Sequence, residues 1–352
     1  MNTRAVAAAV GTGLLFLAIQ LGALALVLPF QAAGYQAVPN PQNPANSVVY
    51  LVGILVATGL MLVAFRYDAD LLVRLFVVGA GTVLVYYVLS VLLPPLVVVS
   101  GASLSALLVS LGVAGALLLY PEWYVIDGAG VLMGMGAAGL FGVSFGLLPA
   151  ILLLVVLAAY DAISVYGTEH MLTLAAGVMD LRVPVVLVVP HRLSYSFIEA
   201  TAAGEAGSAA LEQEATPEDT GSADDDSEPT GGTERDTPDP GGVLSEEDED
   251  DGRDAFFIGL GDAVMPTIIV ASAAFFLDTP LLGVPGVALT LPSLTAIIGT
   301  LTGLAVLLVL VSRGRAHAGL PLLNGGAILG YLVGALAAGI PLETALGLGP
   351  YL

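Results

Sequence analysis

Apolar residues along this chain do not recur with the spacing of a half-buried helix. They fill long runs that are broken by short polar clusters. Nine such runs are legible, at about 5–30, 47–65, 71–93, 97–120, 124–146, 148–166, 255–277, 287–311 and 319–340. Each approaches the roughly 20 apolar residues that a helix needs to cross a bilayer. The first is too long, and too closely followed by others, to read as a cleaved signal peptide. Two stretches break the pattern. Residues 201–254 are rich in Glu, Asp, Gly, Thr, Ser and Pro, a composition that buries too little to offset the entropy of ordering, so a disordered acidic linker is expected. Residues 167–200 contain Val183-Pro-Val-Val-Leu-Val-Val-Pro190, which is β-branched and too short to span. It reads either as an interfacial segment packed on the membrane face or as a strand edge able to pair with an extended substrate. The expected organisation is spans one to six over 1–166, a juxtamembrane segment over 167–200, the linker over 201–254 and spans seven to nine over 255–352. The fold class is an all-α polytopic membrane protein with nine transmembrane helices.

Composition supports lipid as the solvent. Hydrophobic residues make up 57% of the 352 and charged residues 11%, against about 25% charged in soluble domains. There is no cysteine, which excludes disulfides and thiolate metal sites. The three histidines, His170, His191 and His317, form no H-E-x-x-H pair, which argues against a zinc protease. Of the 30 acidic residues, 19 lie between Glu205 and Asp254, and all nine basic residues are arginine. Acid-rich, lysine-free chains resemble those of salt-loving (haloarchaeal) organisms. The net charge of −21 speaks for solvation and against a nucleic-acid partner.

The arginines also test the count. With nine spans, Arg4, Arg66, Arg74, Arg182, Arg192, Arg235, Arg253, Arg313 and Arg315 all fall on one side of the membrane. A miscounted helix in the middle would scatter them. By the positive-inside rule that side is cytoplasmic. The N-terminus and the 167–254 loop are then expected in the cytoplasm and the C-terminus outside, in a multi-pass protein of the cell membrane.

A carboxylate inside the hydrocarbon costs a few kcal/mol, so an intramembrane acid is a functional candidate. Glu122, Asp127, Asp278 and Glu343 sit at the ends of spans. Asp161 and Asp262 do not. Asp161 precedes the end of span six by about five residues and Asp262 follows the start of span seven by about seven, so both lie roughly 8–10 Å deep. The two helices are consecutive and antiparallel, which lets the acids face each other. Two carboxylates in contact do not both ionise readily. One can act as base on a water while the other, protonated, polarises a scissile carbonyl. The same pair also suits a proton-sharing site in a transporter, or a hydrogen-bonded packing contact. Gly259 and Gly261 allow close backbone approach beside Asp262, and Pro266 removes the donor that its carbonyl would meet in a regular helix.

These residues carry a resemblance. Tyr160-Asp161 in one span and Gly259-Leu260-Gly261-Asp262 in the next resemble the YD and GxGD motifs of the presenilin and signal peptide peptidase family. The runs Glu169-His-Met-Leu-Thr-Leu-Ala175 and Asp180-Leu-Arg-Val-Pro184 are similar to presenilin sequence after its first catalytic aspartate. Ala318-Gly319-Leu320-Pro321 stands where the family has Pro-Ala-Leu-Pro, with alanine and glycine in place of the first two residues. The resemblance implies an intramembrane aspartyl protease with Asp161 and Asp262 catalytic and no metal or organic cofactor. It implies transmembrane-helix substrates, and active-site or substrate support from Tyr160, Gly259, Gly261, Gly319, Leu320 and Pro321.

Two other readings remain to be weighed. The same acids serve a proton- or cation-coupled transporter or leak channel, although interrupted helices in inverted repeats are not evident. A scaffold that binds helices without cutting them is the third class. Gly142-Val-Ser144-Phe-Gly146 reads as a serine-nucleophile motif, but Ser144 is expected at the outer end of span five, across the membrane from every histidine.

Overall fold

The structure is a computed structural model that describes residues 3–67, 69–99, 101–167, 186–190, 192, 194–202, 255–312 and 318–351. Among the described residues, seven helices are long and apolar enough to cross a membrane. They are α1 (Thr3–Ala33), α2 (Ala45–Arg66), α3 (Asp70–Leu92), α5 (Trp123–Ser144), α6 (Leu147–Gly167), α9 (Leu291–Val311) and α10 (Gly319–Ala337). Two further apolar helices are shorter: α4 (Leu104–Leu119, 16 residues) and α8 (Leu260–Phe276, 17 residues). Among the described residues there are also two short α-helices, α7 (Phe197–Ala202) and α11 (Leu342–Ala345), and a 3-10 turn at Gly349–Tyr351.

The expected runs thus appear as apolar helices, with corrections at the fourth and seventh. In the fourth, β1 (Val98–Val99) and β2 (Ala102–Ser103) form a small antiparallel hairpin. Gly101 takes φ +85 in its turn, a conformation that glycine adopts at no steric cost. Ser103 then accepts from the Ala106 N–H and starts α4. In the seventh, Ala255–Gly259 is a strand, β4, and only the remainder is helical. β4 pairs antiparallel with β3 (Val186–Pro190), matching Val186 to Gly259 and Pro190 to Ala255. Of the expected linker 201–254, residues 201 and 202 end α7, and 203–254 lie outside the described residues, as do 168–185.

Small residues bring the helices together. On α5, a β-carbon at Gly142 would stand 2.3 Å from that of Ala271 on α8. On α9, one at Gly299 would meet the Gly326 carbonyl and one at Gly303 would stand 2.3 Å from the Leu322 carbonyl. α9 and α10 therefore pack backbone on backbone, the contact that small residues permit in membranes. Of four hydrophobic clusters among the described residues, two span both α8 and α10. One joins Leu153, Leu154 and Leu157 of α6 with Ile268, Ile269, Ala327 and Tyr331 of α8 and α10. The other joins α1, α5 and α8 with Leu187 of β3. Arg74, near the start of α3, donates to the Leu117 and Leu118 carbonyls at the end of α4, so those two helix ends lie at one face of the bundle.

Candidate active site

Asp161 sits on α6 six residues before its end, with 8% of its surface exposed. Its Oδ2 accepts the Leu320 N–H at 3.0 Å. Leu320 is the second residue of α10, whose first N–H groups have no partner within their own helix. Asp161 therefore caps α10 across the bundle. Pro321 follows in the same first turn, where a missing N–H breaks no helical bond. One turn further on, the buried Asn324 donates to the Leu154 carbonyl at 3.0 Å. Two cross-links, Leu320 to Asp161 and Asn324 to Leu154, thus hold α10 antiparallel against α6.

Asp262 is the third residue of α8. The expectation of about seven residues of preceding helix gives way to strand β4, which hands directly into the turn Gly259-Leu260-Gly261-Asp262. A β-carbon on Gly259 would stand 3.3 Å from Asp262 Oδ2, and one on Gly319 would stand 4.0 Å from the same oxygen. Gly319 and Leu320, adjacent in sequence, thus border Asp262 and Asp161 respectively. Gly261 has open space where a side chain would be. Pro266 lies inside α8, whose continuity shows that the loosening at Asp262 stops short of a break. Tyr160 projects from α6 with 55% of its surface exposed, away from the buried side that holds Asp161.

Two acids that the sequence reading passed over as span-end residues are buried here. Asp127, on α5, accepts the Val188 N–H at 2.8 Å. Glu122 accepts the Ser196 hydroxyl at 2.8 Å and the Phe197 N–H at 3.1 Å. Both tie the segment that follows the first candidate aspartate to the start of α5. Their partners lie far away in sequence, and no local motif signals them.

The Asp127 bond also fixes the parity of the sheet. In an antiparallel ladder alternate residues point their N–H and C=O toward and away from the partner strand. The Val188 N–H points to Asp127, so Val188 and its partner Phe257 face away from each other's backbone. One edge of β3 is then occupied by α5, and the outward edge of β4 presents the Phe257 backbone. Among the described residues this sheet has two strands.

The serine motif has a structural explanation. Ser144 is fully buried and accepts the Ala37 N–H at 2.8 Å. The three histidines lie outside the described residues. Among the described residues no cluster of metal-ligating side chains occurs.

Comparison with known proteins bears on the family and the fold. Residues 13–340 match the family described as signal-peptide peptidase, presenilin aspartyl protease. A solved structure of a presenilin family intramembrane aspartate protease in space group C222 is similar at 30% identity, with TM-score 0.59, over 94% of this chain and 99% of the other. A second such structure, in space group P2, is 33% identical with TM-score 0.56, over 93% and 97% of the two chains. No curated protein sequence matches. With the family's signature spanning nearly all of the chain and its fold shared, the protein belongs to the signal-peptide peptidase and presenilin family of intramembrane aspartyl proteases.

Proposed function

We propose that the protein hydrolyses peptide bonds within transmembrane helices of other proteins, with Asp161 and Asp262 as its catalytic pair and water as nucleophile. The observation that carries this is the Gly319-Leu320 step, which donates a backbone N–H to one aspartate and lies against the other. One carboxylate takes a proton from water as the water attacks the carbonyl carbon. The other donates a proton to the carbonyl oxygen, and the tetrahedral intermediate collapses with a proton passing to the leaving nitrogen. Neither step calls for a metal or an organic cofactor.

A helix engages its carbonyls in hydrogen bonds, so the substrate must be unwound before attack. The outward edge of β4 suits that task. An extended segment added there would run beside the strand that leads into Asp262. Gly259 and Gly261 keep that approach free of side chains, and Gly319, Leu320 and Pro321 form the opposite wall. In this reading nine helices cross the membrane, the N-terminus and the 167–254 loop face the cytoplasm, and the C-terminus lies outside. The shared face of Asp161, Asp262, Leu320 and β3 supports that alternation.

The test is a purified protein reconstituted in vesicles with a transmembrane peptide and, separately, with an ion gradient. The proposal expects cleavage that needs both aspartates and no ion flux that depends on them. Aspartate-dependent flux without cleavage would instead favour the transporter reading.

A further inference from the structure

We propose that Asp127 is a positioning residue of the reaction: by holding the Val188 N–H it locks the register of β3 and so sets which bond of the substrate is cut. This rests on the reading that Asp161 and Asp262 cut a segment aligned along β4.

Asp127 is the fifth residue of α5, past the first turn where a helix start would welcome an acid. Only 7% of its surface is exposed. A carboxylate at such a place needs a hydrogen-bonding reason, and the Val188 backbone supplies one. The bond reads the parity of the strand, whatever side chain stands there, and the contact of Leu187 with Gly130 fixes which residue of that parity is held. A slip of β3 by one residue would offer a backbone group that points toward β4 instead. A slip by two in one direction would offer Pro190, which has no N–H. The neighbouring residue is held as well: Leu187 packs over Gly130, one turn along α5, where an added β-carbon would stand 3.0 Å from Leu187 Cδ2. Asp127 and Gly130 thus grip two consecutive residues of β3.

That grip reaches the reacting groups through the ladder. Val186 is matched to Gly259, and Gly259 leads through Leu260 and Gly261 to Asp262. Because β4 runs unbroken into the helix that carries Asp262, what β3 supplies is a fixed partner that holds β4 in place. A β4 that loses this support lets an added segment settle in registers about 6–7 Å apart, which presents different peptide bonds to the carboxylates. Glu122 is the internal comparison. It is also buried and also bonds to the loop, but it holds Ser196 and Phe197, beyond the strand.

The experiment measures, by mass spectrometry, where a transmembrane peptide is cut by the full chain, with the thermal unfolding of each variant recorded beside it. Asp127→Ala is expected to spread one dominant cut over neighbouring bonds and to raise KM several-fold. Asp127→Asn keeps a side-chain carbonyl oxygen that can accept the same N–H, and is expected to restore the dominant cut. Glu122→Ala is expected to lower thermal stability while the dominant cut stays in place. If Asp127→Ala does not accumulate as folded protein, Val188→Pro removes the same bond from its other end and spares the β3–β4 ladder, because that N–H points away from β4; the same scatter is expected. A folded Asp127→Ala or Val188→Pro that cuts the same bonds in the same proportions overturns the inference, as does equal scatter from Glu122→Ala. Unimpaired cleavage by Asp161→Asn or Asp262→Asn would identify a different failure, that of the underlying pair.

Discussion

Gly303→Ala adds a single methyl group whose nearest neighbours include no acid, and the structure gives it a large effect. The new β-carbon would stand 2.3 Å from the Leu322 carbonyl oxygen and 2.9 Å from its carbon. Carbon–oxygen contacts settle near 3.3–3.6 Å, so the backbones must part by about 1 Å. These atoms belong to the main chain, so no side chain can swing aside. Leu322 lies two residues beyond Leu320, whose N–H is held by Asp161, and three beyond Gly319, which borders Asp262. Moving this turn displaces one wall of the site. A misplacement of about 1 Å at a catalytic centre can cost about 10²-fold in rate, while overpacking costs about 1–3 kcal/mol of stability. Gly325→Ala is the matched control on α10, because its β-carbon meets nothing within 4 Å. The assay is the initial rate of peptide cleavage in detergent, together with the unfolding temperature of each variant. The expectation is a loss of about 10²-fold for Gly303→Ala and near-normal rate for Gly325→Ala. Equal rates in the two variants would refute the claim that close α9–α10 packing holds the site.

Three further outcomes follow. Gly319→Ala should be tolerated, since its β-carbon would meet Leu307 at 3.4 Å and Asp262 at 4.0 Å, whereas Gly259→Ala should slow cleavage by pressing on Asp262 Oδ2 at 3.3 Å; comparison of kcat for the two checks this. Deleting about residues 205–248 should leave cleavage nearly intact, while Leu187→Pro, which removes a donor that faces β4, should slow it strongly; an inactive deletion beside a silent proline would reverse the assignment. A reporter fused after Leu352 should be found outside and a tag within 210–250 in the cytoplasm, as read by protease protection; both on one side would remove the nine-span arrangement.

Much of this was legible in the chain because lipid imposes a coarse rule: a helix that crosses must be long and apolar. The same rule explains the two errors of extent. Val98 and Val99, or Phe256 and Phe257, are as hydrophobic as a helix core, and hydropathy does not distinguish a strand from the end of a span. Backbone constraints decided these cases, through Gly101 in the hairpin turn and through the pairing of 186–190 with 255–259. The valine run before Pro190 fits either an interfacial segment or a strand by sequence, and in the structure its described part, Val186–Pro190, is a strand with one edge against α5. Asp161 and Asp262 stood out because an acid within an apolar run is rare. Asp127 and Glu122 did not, because acids near a helix start are ordinary and their partners lie beyond the next helix. The glycines of α9 and α10 were visible as small residues, but which of them touch a carbonyl depends on the rotation of both helices.

The central claim is that Asp161 and Asp262 together drive hydrolysis by water. The most direct measurement is mass analysis of a transmembrane peptide incubated with purified protein in oxygen-18 water. Wild-type protein should yield paired fragments, with one labelled oxygen in each new carboxyl terminus. Asp161→Asn and Asp262→Asn should each remain folded and yield neither fragment. Labelled fragments produced at a near-normal rate by either asparagine variant would contradict the account.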